Sequence, residues 1–287
     1  MIYRRRASPL HAARAAAGCA WCLALAIATL MASNPIILVA VTLAVLGGGV
    51  AAGVGRELCR AALWGLPVAL VITVINALVT RDGLTVIVRL GDLPILGHTD
   101  VTLEATVYGA MLGLRAMALI LCGLLYTLAV DPDEVLRLFR RVSFRSALSA
   151  SLATRMVPIL IRDGRRLAEA QRCRPGPPPS RLALMRAACT GVLDRALDVA
   201  AALEVRGYGA ARRSPARRAP YSRHDIAFLA SAAAIVAVSV VARVDAGAAF
   251  AAYPGLRLAA APDAAVLAVL LAAAALLPFA DRRGLAR

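Results

Sequence analysis

The sequence predicts an all-α integral membrane protein, and its hydrophobicity, its apolar windows and its arginine distribution support that class. Of the 287 residues, 60% are hydrophobic, and the mean hydropathy is +0.73, too apolar for an ordinary soluble protein. Six apolar windows approach the ~17–25 residues that a helix needs to cross a membrane. They are Ala15–Ala32, Pro35–Val54, Ala61–Thr80, Thr106–Val130, Ile226–Ala242 and Ala264–Ala280. The last two are short, so the sequence predicts about six spans and leaves five as an alternative.

The arginines predict how these spans are oriented. The formal net charge is +16, and cytoplasmic segments near spans collect basic residues. With both termini inside, the arginines predicted outside are only Arg81, Arg89, Arg243 and Arg257, while Arg115 falls within a span. Membrane topology therefore explains the positive charge. We predict that the protein contacts the lipid bilayer and does not bind nucleic acid.

The windows divide the chain into three regions. Residues 1–130 form an N-terminal membrane region with four spans, and residues 224–287 form a C-terminal membrane region with two. Between them, residues 131–223 are rich in arginine and are predicted to lie in the cytoplasm. This long polar segment separates two membrane regions, and it carries most of the functional prediction.

Three helices are predicted within the polar segment. The first begins at Asp131, a good N-cap, with Pro132 in the first turn and Glu134 three residues after the cap, as in a capping box. The second covers about Ser146–Arg174 and is predicted to bend near Pro158. The third covers about Arg181–Val205. All three are amphipathic, so they can lie along a membrane surface or against a partner.

Motifs for chemistry are not found in this sequence. The six cysteines and three histidines are scattered, and Cys19-Ala-Trp-Cys22 is interpreted as helix packing because no second pair accompanies it. Glycines near the end of the second span, with Gly49 and Gly53 four residues apart, predict close helix packing. They lack the Lys-Ser/Thr end of a phosphate loop, and the chain has no lysine. We therefore predict no catalytic residue, metal ligand or cofactor, and ATP-driven work would require another polypeptide.

An arginine followed by glycine or proline-glycine closes both long predicted helices. The two ends read Gln171-Arg-Cys-Arg174-Pro-Gly176 and Glu204-Val-Arg206-Gly207. Gly207 is predicted to end its helix, and Arg206 favours the negative end of the helix dipole, so simple capping is one interpretation. The other is that guanidinium groups at these ends enter grooves on a partner, where they pair with carboxylates or carbonyls.

These ends resemble the paired Ala-Arg-Gly motifs of the transmembrane T component (EcfT/CbiQ-like) of energy-coupling-factor (ECF) ABC transporters. Similarity continues upstream through Arg155 and Pro158, through the stretch 127–136 and, more weakly, back to Asn34, so it covers most of residues 34–209. The sequence departs from the motifs at Cys173, Pro175 and Val205. Both motif arginines remain, and Pro175 changes how the first helix ends.

The resemblance implies a bacterial or archaeal plasma-membrane subunit that joins two cytoplasmic ABC-type ATPases to a small membrane substrate-binding (S) subunit. It implies that Arg174 and Arg206 dock on the ATPases, with Gln171, Glu204 and Gly207 as parts of the same motifs. Arg115, Arg155 and Pro158 are candidates for structural or partner contacts. The transported substrate would be a vitamin or a transition-metal ion, and ATP would be hydrolysed by the partners, which makes this chain a non-catalytic subunit.

Two other functions remain as alternatives. A self-contained channel or transporter would need polar residues along several spans, and Asn76 and Arg115 are the obvious ones. A lipid-modifying membrane enzyme would need acidic, histidine or serine groups near the membrane face. The tight acidic cluster of Asp131, Asp133 and Glu134 is already explained by helix capping.

Overall fold

The computed structural model describes residues 6–80, 85–93, 97–139, 144–173, 175, 181–207, 221–244, 250 and 262–281. The chain separates into two compact units. Unit 1 combines Met1–Val135 with Tyr221–Arg287, and unit 2 is Leu136–Pro220. Unit 1 therefore contains all six apolar windows, and unit 2 lies within the polar segment.

Helices make up most of both units. In unit 1 they are α1 (Pro9–Ala12), α2 (Ala15–Met31), α3 (Pro35–Ala51), α4 (Gly55–Val79), α5 (Leu103–Ala129), α9 (Arg223–Val244) and α10 (Pro262–Leu276), which continues into a 3-10 turn, Leu277–Phe279. Unit 2 holds α7 (Phe144–Arg172) and α8 (Arg181–Val205), while α6 (Pro132–Phe139) begins in unit 1 and ends in unit 2. Each apolar window corresponds to a helix, and α8 has the bounds that the sequence predicts.

Four helices are long and apolar enough to cross a membrane: α4, α5, α9 and the stretch Pro262–Phe279. The helices α2 and α3 are also apolar but have 17 residues each. At 1.5 Å per residue, 17 residues cover about 25 Å, somewhat less than the ~30 Å hydrocarbon core. The structure therefore gives four candidate spans, and the count of six stays a prediction.

A β-hairpin interrupts this helical architecture between α4 and α5. Strands β1 (Val86–Leu93) and β2 (Gly97–Thr102) pair antiparallel, with Val86 opposite Thr102 and Leu93 opposite Gly97. The β-branched run Val86-Ile-Val88 favours extended backbone. The prediction of an all-α fold omits this hairpin, and Gly97–Thr102 has little of the hydrophobic alternation typical of strands.

The core of unit 1 contains an aromatic cluster contributed by α2, α9 and the 3-10 turn. Trp21, Phe228 and Phe279 pack edge to face in all three pairs, with ring centroids 5.2–5.7 Å apart. Trp21 and Phe228 are fully buried. This arrangement is the one that aromatic quadrupoles favour, and it joins α2 to α9 and to the turn that follows α10.

Close helix packing occurs at a pair of glycines that the sequence interpretation did not single out. A Cβ atom on Gly113 would lie 2.6 Å from the Ala69 carbonyl oxygen, and one on Gly109 would lie 2.8 Å from the Thr73 carbonyl oxygen. The four-residue spacing on α5 therefore lets its backbone approach α4, as small residues do between membrane helices.

The prediction that Gly49 and Gly53 both pack against another helix is correct for Gly49 and wrong for Gly53. Gly49 faces the Leu58 side chain, and a Cβ there would lie 2.9 Å from Leu58 Cδ2. Gly53 lies beyond the end of α3, with φ 79°, in the turn to α4. That left-handed backbone is what glycine permits, so Gly53 forms a turn and does not pack one helix against another.

Candidate functional site

The end of α8 presents an exposed arginine. The amide of Arg206 donates to the Ala202 carbonyl at 3.2 Å, and the amide of Gly207 donates to the Glu204 carbonyl at 2.8 Å. Gly207 has φ 73°, which ends the helix as predicted. Arg206 and Glu204 are both exposed. The guanidinium thus sits at the negative end of the helix dipole, where a partner surface can reach it.

The end of α7 is described only in part. Gln171 lies in the last turn and is half-buried, and the amide of Cys173 donates to the Glu169 carbonyl at 3.2 Å. Pro175 is exposed. Arg174, the first predicted docking arginine, lies outside the described residues. The role assigned to Arg174 therefore stays a prediction.

An ion pair joins α7 and α8 within unit 2. Arg195 Nη1 donates to Asp163 Oδ2 at 2.5 Å, although the two residues are 32 positions apart. Beside this pair lies an open apolar groove of about 550 Å³. Gly164 and Gly191 contribute to its lining, and a Cβ on either would meet nothing within 4 Å. The two helices therefore leave space between them that a partner side chain could occupy.

An apolar stripe on α8 remains exposed. It follows helical spacing through Leu182, Met185, Leu193 and Leu197, whose exposed fractions are 57%, 64%, 65% and 70%. On α7, Val157 and Ile161 are also exposed. Large apolar surfaces of this kind mark contacts with proteins or membranes. Unit 2 thus combines arginine at the tip of α8 with apolar surface along its length.

Arg155 and Pro158 lie on α7. Both are exposed, and α7 continues as a helix through Pro158. Both residues lie more than three helical turns before Gln171 on the same helix. The structure therefore does not place them next to the docking motif at the end of α7. Their predicted structural or partner contacts stay a prediction, as does the predicted bend at Pro158.

Arg115 contacts the carbonyl end of α2. Its Nη2 donates to the Ala32 carbonyl oxygen at 2.7 Å, and Ala32 is the C-cap of α2. A cation there satisfies a helix-end carbonyl and complements the helix dipole. Its Nε is buried and has no hydrogen-bond acceptor among the described residues. The geometry gives Arg115 a structural contact within unit 1.

The acidic side chain of Glu134 does not form the predicted capping box. Asp131 does cap α6, since its Oδ1 accepts from the Asp133 amide at 2.9 Å. Glu134 Oε2 instead accepts from the amide of Ala15, the first residue of α2, at 3.0 Å. A second acidic residue, Asp225, accepts from the neighbouring Arg14 amide at 2.7 Å. Sequence spacing could not reveal these contacts, because 119 and 211 residues separate the partners.

The described residues hold no group of three or more histidine, cysteine or acidic side chains that could bind a metal ion. Cys19 and Cys22 lie within α2, and Cys22 is buried in the helix packing. What the described surface of unit 2 offers is charged and apolar contact area. That chemistry suits the docking of other chains.

Comparison with known families relates this chain to a transport family. The family model described as "CbiQ: Cobalt transport protein" matches residues 6–216. The matched stretch begins three residues before α1 and ends between α8 and α9. No curated protein matches this sequence.

Proposed function

The chain belongs to the CbiQ cobalt transport protein family, and from that premise we propose that it is the energy-coupling T component of an ECF-type ABC importer. Its family and its four membrane-length apolar helices make it a multi-pass component of a membrane transporter. In the proposed role, the chain links two cytoplasmic ABC-type ATPases to a small membrane substrate-binding subunit. The partner subunits hydrolyse the ATP.

The observation that carries this proposal is the exposed arginine at the end of α8. Arg206 projects from a 25-residue helix that Gly207 terminates. A planar guanidinium can make two parallel hydrogen bonds to a carboxylate in a groove of a partner. We assign Arg206, with Glu204 and Gly207, to one ATPase. On the motif resemblance alone, we propose that Arg174, with Gln171, serves the second ATPase.

The helix pair of unit 2 supports a lever-like role. Helices α7 and α8 are 29 and 25 residues long, and the Asp163–Arg195 ion pair links them. The exposed apolar stripe of α8 would face the substrate-binding subunit or the bilayer, so that ATP-driven movement at the arginine tip reaches that subunit. Arg155 and Pro158 on α7 are proposed as further partner-facing residues.

The proposed cargo is a transition-metal ion, with Co²⁺ as the first candidate because the family description names cobalt. A vitamin is the alternative cargo. Because the T component transmits movement, its own residues need not contact the cargo. We further propose a bacterial or archaeal plasma membrane location, with both termini and residues 131–223 in the cytoplasm, since the arginines favour that side.

The substitution Arg206→Ala tests the proposal. We expect it to weaken ATPase binding by about 30-fold or more, because truncating one partner of a buried charge pair costs about 2 kcal/mol or more. Arg186→Ala is the matched control, since Arg186 is also an exposed arginine on α8. ATPase binding would be measured by titrating the purified ATPases into each purified variant. Folding would be measured by thermal unfolding in detergent.

The control variant should bind the ATPases like the parent chain, and both variants should unfold at the parent temperature. Normal ATPase stoichiometry and normal uptake by the Arg206→Ala variant would contradict the docking role. Arg206 would then be a simple helix cap. A purified parent chain that transports Co²⁺ without any ATPase would instead favour the self-contained transporter.

A further inference from the structure

The start of α2 is held by two carboxylates from distant parts of unit 1. Glu134 Oε2 accepts from the Ala15 amide at 3.0 Å, and Asp225 Oδ1 accepts from the Arg14 amide at 2.7 Å. We call these four residues the α2 anchor. Free amides at a helix N-terminus and the positive end of its dipole both favour carboxylates, so the anchor satisfies donors that the helix itself leaves unpaired.

Asp225 is the most constrained member of the α2 anchor. It is 1% exposed, and it also accepts from the Ser222 amide at 2.8 Å and faces Arg14 Nε at 3.4 Å. The Arg14 guanidinium lies 4.9 Å from the ring centroid of Tyr221. A buried carboxylate is tolerated only where donors and an opposite charge surround it. The position of Tyr221–Asp225 relative to α2 is therefore closely fixed.

The anchor joins the two points where the chain leaves unit 1 and returns to it. Glu134 lies one residue before Val135, the last residue of unit 1 before unit 2 begins. Tyr221 is the first residue of unit 1 after unit 2 ends at Pro220. Both attachment points of an intervening 85-residue stretch, 136–220, are thus tied to the N-terminal end of α2. Capping of α2 alone would not require its two acceptors to come from these two places.

We propose that the α2 anchor transmits movement of the unit 2 segment to the membrane helices, with Glu134 and Asp225 as positioning residues for energy coupling. This inference rests on the proposed function. Force applied to a segment reaches the rest of a protein through its attachment points, and loose attachments dissipate it in local motion. Hydrogen bonds from both attachment points to α2 keep that connection short.

The α2 anchor is tested by isosteric substitutions in the assembled transporter. Asp225→Asn and Glu134→Gln keep side-chain size and remove the negative charge. Glu57→Gln is the matched control, because Glu57 forms an ion pair with Arg6 at 2.7 Å elsewhere in unit 1. The complex with its ATPases and membrane subunit would be reconstituted in liposomes, and Co²⁺ uptake per ATP hydrolysed would be measured.

Both anchor variants should lower the uptake-to-hydrolysis ratio by about fivefold or more, the lower end of coupling effects between sites. ATPase binding and ATP hydrolysis should stay close to the parent values, and Glu57→Gln should leave the ratio unchanged. An unchanged ratio in Glu134→Gln and Asp225→Asn would overturn the inference. Parallel loss of ATPase binding and thermal stability, with the ratio preserved, would reduce the anchor to a structural cap.

A second measurement tests the inference if the Asp225→Asn variant does not fold. Glu134 is exposed apart from its bond to Ala15, so Glu134→Gln is the milder change. Spin labels at positions 12 and 137, with the exposed cysteines replaced by serine, would report distances in the full chain. Glu134→Gln should broaden the distance distribution, and an unchanged width would contradict the inference. A parent chain that binds no ATPase would reject the proposed function itself, and this coupling role with it.

Discussion

Units 1 and 2 differ in how much of their apolar surface they bury within themselves. Unit 1 buries a continuous core, with the Trp21–Phe228–Phe279 cluster among its fully or nearly fully buried side chains. In unit 2 none of the residues whose burial the structure describes is buried, and Leu182, Leu193 and Leu197 of α8 are more than half exposed. The hydrophobic effect scales with apolar area removed from water, so unit 1 has an internal core, although its membrane-length helix α4 also exposes large apolar side chains such as Trp64, at 76%. Unit 2 needs a membrane or another chain to cover its surface.

This difference teaches where function and stability reside. The residues that stabilise unit 1 contact one another, and substitutions there should act on folding. In the described part of unit 2, Arg206 and Glu204, which carry the proposed function, are exposed, and substitutions there should act on assembly. A substitution in unit 2 that strongly lowers the free energy of unfolding would contradict this comparison. A core substitution in unit 1 that hardly changes it would contradict it as well.

The largest expected effect on stability is that of Trp21→Ala. Trp21 is 0% exposed and packs against two phenylalanines, so its truncation leaves a cavity. Large-to-small changes of this kind cost about 3–5 kcal/mol. Thermal unfolding of the purified chain in detergent would measure the loss. A variant as stable as the parent would show that the packing in unit 1 is not what stabilises it.

A smaller effect is expected for Gly113→Ala. The new Cβ would lie 2.6 Å from the Ala69 carbonyl oxygen, so α4 and α5 must separate, at a cost of about 1–3 kcal/mol for overpacking. Gly123→Ala is the control on the same helix, since a Cβ there meets nothing within 4 Å. That variant should be neutral or slightly stabilised in the same unfolding assay. Equal effects of the two substitutions would argue against the close approach of α4 and α5.

The smallest effect on folding is expected for Leu197→Ser. This side chain is 70% exposed on α8, and exposed substitutions usually change stability by no more than about 0.5 kcal/mol. Assembly should respond instead, because the apolar stripe would lose part of its contact area. Co-purification of the membrane substrate-binding subunit would measure the loss. Destabilisation of the isolated chain by several kcal/mol would mean that Leu197 packs within its own chain.

The sequence predicted the helices well because long apolar windows and strong end signals are local. The third helix of the polar segment is an example, since Gly207 marks its end and Val205 its last residue, as in the structure. Gly109 and Gly113 show a local signal that was available but overlooked, namely small residues four positions apart in a span.

The α2 anchor could not be predicted from local pattern. Glu134 has the spacing of a capping box, but in the folded chain its carboxylate accepts from the Ala15 amide at the start of α2. The pairing of Arg14 with Asp225 spans 211 residues, and the opposite charges of two residues do not reveal that they meet. Arg206 differs from the anchor, because a local motif was enough to predict its role. The structure places Arg206 at an exposed helix end, where a partner can bind it.

The most direct test of the coupling role is purification of the tagged chain from its native membrane in mild detergent, followed by identification and counting of the bound proteins. Two copies of ABC-type ATPase and one small hydrophobic membrane subunit are expected for each chain. Recovery of the intact chain alone from several detergents would contradict the coupling role and leave Arg206 as a helix cap.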